Sequence, residues 1–153
     1  MNIKIEDILK RKGDKIVTVK RHVSIDEAVH LMASNKIGAL VVEDDAMLEG
    51  IITERDVLHA LDENGFSAVA KMKVEDIMTS QVHTGSPEDD ITYVMTLMSK
   101  HHFRHMPVVV NGKLAGLVSS KDVVTSALAA ESMENRILKH YIKNWPEEDE
   151  QTP

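Results

Sequence analysis

The sequence contains no cysteine, four prolines and one tryptophan, and only 3% of its residues are aromatic. Each shortage excludes something. Without thiols there is no disulfide framework, no cysteine nucleophile and no cysteine-based zinc site. So few rings cannot supply a row of stacking platforms for single-stranded nucleic acid. Basic residues are in deficit, 18 against 25 acidic ones, for a formal net charge of −7. That balance opposes general binding to a phosphate backbone, so no nucleic-acid partner is expected. No apolar run is long enough to cross a bilayer. The first thirty residues carry Lys4, Glu6, Asp7, Lys10, Arg11, Lys12, Asp14 and Lys15 rather than the apolar centre of a signal peptide. A cytoplasmic protein without a membrane partner is the expectation. Also lacking are a Gly-rich phosphate loop and any evident pairing of a nucleophile with a base, so an enzyme is not expected.

What is present is repetition. When the chain is slid by 66 positions, Thr18 meets Thr84, Ile25 meets Ile91, and Leu31-Met32 meets Leu97-Met98. Val42 meets Val108, Gly50 meets Gly116, and Asp56-Val57 meets Asp122-Val123. Upstream, Ile5-Glu6-Asp7-Ile8 matches Val74-Glu75-Asp76-Ile77 with three more residues of shift. Amphipathic periodicity alone does not demand matched Gly and Asp, so the two halves are read as copies of one unit.

Each unit reads alike. A helical lead-in (Ile5 to Leu9; Val74 to Met78) precedes a short strand near 16–19 or 82–84. A helix follows, capped by Ser24 with Glu27 three residues on, or by Asp90. Two strands then form a hairpin, Ala39 to Val42 with Leu48 to Ile52, and Met106 to Val110 with Leu114 to Val118. The second hairpin turns at Asn111-Gly112. A second helix opens after Thr53 and after Ser119, and the last one is expected to run to about Tyr141. Residues 62–73 read as a linker. One such unit cannot cover its own sheet, so the two should share one core. The expected division is 1–66, 67–132, a helical extension over 133–145, and a disordered acidic tail over 146–153. Trp145 reads either as a docking anchor or as loosely packed.

Binding chemistry concentrates at the two helix starts. Thr53 and Ser119 stand where unpaired backbone N–H groups favour phosphate. Asp56 and Asp122 carry carboxylates able to accept both hydroxyls of a ribose. The same Thr/Ser-x-x-Asp spacing also makes a capping box, and the two roles are compatible. Arg55, Lys121 and Arg104 can add positive charge. Arg104 and His105 precede the hairpin strand, followed by Met106 and Pro107, and are candidate phosphate contacts. The first unit has Gly38 and Ala39 at the positions of Arg104 and His105, leaving room for a base ring near the backbone. Two inequivalent clefts follow. The run His101-His102-Phe103-Arg104-His105 raises a metal question, but adjacent histidines rarely converge on one ion and no metal is expected.

The segments Gly50-Ile51-Ile52-Thr53-Glu54-Arg55-Asp56 and Gly116-Leu117-Val118-Ser119-Ser120-Lys121-Asp122, in a doubled strand-helix-strand-strand-helix order, resemble the cystathionine-β-synthase-type (CBS) repeats of a stand-alone pair. The stretch His102-Phe103-Arg104-His105-Met106-Pro107-Val108-Val109 is similar to the family's pre-strand pattern. The resemblance implies an α/β (α+β) module of two βαββα repeats related by a pseudo-twofold axis, with two clefts, often paired into a homodimer. It implies an adenosine ligand: AMP, ADP, ATP or NAD(H). By the same match Asp56 and Asp122 take ribose, Thr53 and Ser119 face phosphate, and Thr18 and Thr84 line the clefts. The expected function is regulatory, with ligand binding passed to an effector protein as a change of conformation. The alternative is a ligand-free dimeric scaffold joined through helices near Leu58 and Val124.

Overall fold

The computed structural model describes residues 2–13 and 15–143; the expectations for Trp145 and for the tail over 146–153 lie outside them. The lead-in α1 (Ile5–Lys12) is followed by β1 (Thr18–Val19), α2 (Ile25–Asn35), β2 (Ala39–Asp44), β3 (Met47–Thr53) and α3 (Glu54–Asn64). Then come α4 (Phe66–Lys71), α5 (Val74–Ile77), α6 (Ile91–His101), β4 (His105–Val110), β5 (Lys113–Ser119) and α7 (Ser120–Lys143). The strands form one mixed sheet in the order β1-β2-β3-β5-β4.

The internal symmetry reaches the register. Val42 pairs with Gly50 and Val108 with Gly116, and both hairpins slip immediately afterwards, between Val42 and Glu43 and between Val108 and Val109. On the outer edge Val19 pairs in parallel with Val42, and Gly85 with Val108. The second outer strand is a single bridge at Gly85 rather than the expected run over 82–84. Gly85 donates to the Pro107 carbonyl at 2.9 Å, and Val109 donates to Gly85 at 3.0 Å. The next donor on β4 would be residue 107, and proline has no N–H to give, so the ladder stops.

The lead-ins are exchanged between the repeats. Ile5 and Ile8 of α1 are buried among Ile91, Val94, Met98, Met106 and Val118 of the second repeat. Val74 of α5 is buried among Ile25, Leu40, Val42 and Ile52 of the first. Matching backbone bonds hold each crossing: Ile25 donates to Met72 at 2.8 Å and Ile91 to Ile3 at 3.0 Å. Lys4 and Lys73 begin the lead-ins, their N–H groups donating to Asp7 at 2.9 Å and Asp76 at 2.8 Å. The repeated glycines make room for this. A Cβ on Gly50 would lie 2.7 Å from the Thr79 carbonyl, and one on Gly116 would lie 2.5 Å from Leu9. The hairpins themselves meet in the sheet at one register pair, Met47 with Lys113.

Residues 62–73 are mostly helical rather than an open linker. Helix α3 continues to Asn64, Gly65 turns at φ 80°, and α4 follows. Its Val69 is 2% exposed and packs into the first core, which is the reason the segment stays folded.

Candidate functional site

Two cavities lie where one repeat's helix start faces the other repeat's strand edge. In the Asp56 cleft, of about 290 Å³, Ile51, Thr53, Arg55 and Asp56 face Val82, His83 and the run 102–105. In the Lys121 cleft, of about 440 Å³, Leu117, Ser119 and Lys121 face Ile16, Val17, Lys36, Ile37, Gly38 and Ala39. The walls correspond by the sequence repeat: Thr53 with Ser119, Arg55 with Lys121, His83 with Val17, His102 with Lys36, and Phe103 with Ile37. Arg104 and His105 line both cavities, so the two sites share a wall.

At the Asp56 helix start the carboxylate caps its own helix. Its Oδ2 accepts from the Thr53 N–H at 2.8 Å and the Thr53 hydroxyl at 3.1 Å. The other oxygen, Oδ1, makes no hydrogen bond among the described residues and remains available on the cavity wall. Rings bound the same cavity: His83 stacks on Phe103 at 4.8 Å and 7° between planes, and His101 lies tilted against His83 at 4.5 Å.

The second helix start differs. Asp122 Oδ2 accepts from the Ser119 N–H at 2.8 Å, as the repeat requires, but it also pairs with Lys12 at 2.7 Å. Lys12 donates in addition to the Leu117 carbonyl at 2.9 Å, and Arg11 to the buried Ser126 at 2.5 Å, which fastens α1 to α7. Burial alone would raise the Asp122 carboxyl, but Lys12 and the Ser119 bonds outweigh it and hold the group below its ordinary range. Asp122 lines a small neighbouring hollow with Arg11, Lys12 and Thr125 rather than the Lys121 cleft itself. The residue at the place of Lys12 in the other lead-in is Gln81, which lines the Asp56 cleft without a charge.

Most of the remaining candidates fall into place around these walls. Gly38, Ala39, Ser119 and Lys121 line one cleft, and Thr53 and Arg55 the other. Thr18 and Thr84 lie outside both: the Thr18 hydroxyl donates to Glu43 at 3.3 Å, and Thr84 is exposed. Met106 and Pro107 are buried, Met106 within the second core and Pro107 on the strand behind it. His105 is half-buried. Burial first, and then Arg104 and Lys12, hold its imidazole below the usual histidine value, against the pull of Glu54 and Asp122. His101 closes α6 and His102 caps it at φ 56°. Among the described residues no three histidines or acids gather to hold a metal ion, and no helix is long and apolar enough to cross a membrane. Lys12, Gln81 and His83 were missed from sequence. The longer shift of the lead-ins aligns Lys12 with Gln81, and that was the signal for two of them.

The profile of the CBS domain matches residues 5–63 and 74–129, and the chain belongs to this family as a tandem pair of CBS repeats. A CBS-domain containing protein of Agrobacterium tumefaciens superposes with a TM-score of 0.77 at 39% identity, over 81% of this chain and 92% of that one. The CBS domain-containing protein CBSX3, mitochondrial, of Arabidopsis thaliana is 34% identical over 148 residues, 91% of this chain and 71% of that protein. The CBS domain pair of protein MJ0100, solved in complex with 5′-methylthioadenosine and S-adenosyl-L-methionine, superposes at 0.74 with 28% identity, over 86% of this chain and 99% of that one.

Proposed function

We propose that the protein is a regulatory module that binds an adenosine ligand (AMP, ADP, ATP or NAD(H)) in the Asp56 cleft and passes the occupancy of that cleft to an effector protein. One observation carries this reading: Asp56 faces a cavity built from both repeats and keeps one carboxylate oxygen out of its own helix cap. That oxygen can accept from ribose hydroxyls while the cap stays intact. Arg55 and Arg104 supply charge for a phosphate, and Ile51, Val82 and Phe103 an apolar wall for the base. The adenosine compounds bound to the CBS pair of MJ0100 support the ligand class.

Because the cleft's two walls come from different repeats, a ligand spanning them can bias how the repeats sit, which is the requirement for a population shift. Exposed Leu58 of α3 and Val124 and Leu128 of α7 offer apolar surface on which a second copy can pair. The test is calorimetry and thermal melting with AMP, ATP and NADH. Ligand at 100 times its dissociation constant stabilises by about 2.7 kcal/mol. Asp56→Asn keeps a capping oxygen, so it should melt close to wild type while losing about tenfold or more in affinity. Unchanged affinity in this variant would remove ribose recognition from Asp56, and no response to any adenosine compound would leave the scaffold reading.

A further inference from the structure

We infer that four histidines on the walls of the Asp56 cleft, His59, His83, His102 and His105, take up protons when a phosphate-bearing ligand enters, so that the cleft selects a phosphorylated adenosine over the bare nucleoside more strongly as pH falls; this rests on the reading given above. Their placement carries the inference. Four of the chain's eight histidines line this one cavity. They come from α3, from the segment after α5, and from the turn and strand that follow α6. The repeat does not demand them: at the corresponding positions of the other unit stand Thr125, Val17, Lys36 and Ala39. Of the four, only His105 also lines the Lys121 cleft. Imidazole is the side chain whose ordinary pKa, about 6.5, falls within the physiological range.

The charges facing these rings leave the added protons room to act. Among the described lining residues, Arg55 and Arg104 against Asp56 leave one net positive charge, and the four imidazoles can add up to four more. His105 also feels Glu54, Lys12 and Asp122 from beyond this cavity, and burial keeps it neutral until an anion offsets that cost. His83 lies flat on Phe103, whose ring face favours an imidazolium, while His101 beside it opposes the charge once both are protonated. His59, His83 and His102 are exposed, so protons and ligand both reach them. A phosphate among these rings stabilises their charged forms, and a proton taken up on binding makes affinity rise as pH falls. A neutral nucleoside exerts no such pull. In water, one unit charge about 4 Å from another is worth about fivefold in affinity.

The experiment is titration calorimetry of the intact protein with AMP and with adenosine at pH 8.0, 7.2 and 6.5 and constant ionic strength. It is run in two buffers of unlike ionisation heat, which counts the protons exchanged, and repeated on His59→Gln/His83→Gln. Both replaced side chains are exposed, so the variant should fold and melt like wild type. AMP affinity should rise about fivefold or more from pH 8.0 to 6.5, with net proton uptake at pH 7.2. A phosphate monoester's own titration, near pH 6, would release protons on binding as the dianion, so uptake identifies the protein as the acceptor. Adenosine should change less than about twofold over the same range and take up no proton. The variant should lose at least about half of the AMP slope while matching wild type within about twofold at pH 8.0. AMP binding with a slope no steeper than adenosine's, or with a slope undiminished in the variant, overturns the inference and leaves the adenosine reading standing. If neither compound binds at any pH, the adenosine reading fails and this inference falls with it.

Discussion

His105 stands on the wall common to both clefts, facing Arg104 beside it, Glu54 from α3, Lys12 from α1 and Asp122 from α7. Its pKa in the folded protein is lower than the unfolded value of about 6.5. The unfolded chain therefore takes up this proton first as pH falls, and stability decreases from about pH 6.5 downward until the folded histidine also titrates. His105→Gln should flatten part of that slope, read from urea midpoints at pH 7.5, 6.5 and 5.5; parallel slopes would remove His105 as its source. Asp122 runs the opposite way in origin but the same way in effect. Its depressed carboxyl contributes stability above the ordinary carboxylate range and loses it as pH falls through the folded value. An anion arriving beside His105 would favour the imidazolium, so phosphate binding and proton uptake should go together.

At the scale of elements, the two repeated glycines are not equally sensitive. A methyl group on Gly50 meets the Thr79 carbonyl, which is itself fixed in a two-way bridge with Ile51 at 2.9 Å. A methyl group on Gly116 meets the end of the Leu9 side chain, which can turn aside. Gly50→Ala should cost about 1–3 kcal/mol and Gly116→Ala distinctly less; equal losses in chemical denaturation would contradict the exchanged packing of the lead-ins. Helices, hairpins and the register between repeats were legible because burial imposes period 3.6 or 2 on both copies. The capping roles of Ser24 and Asp90 were legible too, and the structure shows them accepting from Glu27 at 3.2 Å and Thr92 at 2.7 Å. The turn at Asp45-Ala46 was harder to see: both residues have positive φ, 46° and 65°, without the glycine that marks its counterpart at Gly112. Helix α4 was hidden because a single buried valine, Val69, anchors it. The helix starts of the site could be named from sequence, whereas the opposite walls could not, since a pattern repeated along a chain does not say which copy faces which.

For the whole molecule, the long α7 leaves Val124, Leu128, Ile137, Leu138 and Ile142 between 44% and 74% exposed, more apolar surface than one helix ordinarily presents to water. If this face joins two copies, light scattering should give twice the chain mass at tens of micromolar, and Leu128→Glu should return a folded monomer whose melting temperature no longer rises with protein concentration. A wild-type monomer under those conditions would remove the pairing.

The exchange of lead-ins has a mechanical consequence. Cut at Gly65, the chain would yield two pieces, each carrying the plug that belongs in the other, so neither could close alone while the mixture could reassemble. Tension applied at the amino end would strip α1 from the second repeat before disturbing the first. The two halves are laced, like a shoe, and loosen from the opposite side to the one that is pulled.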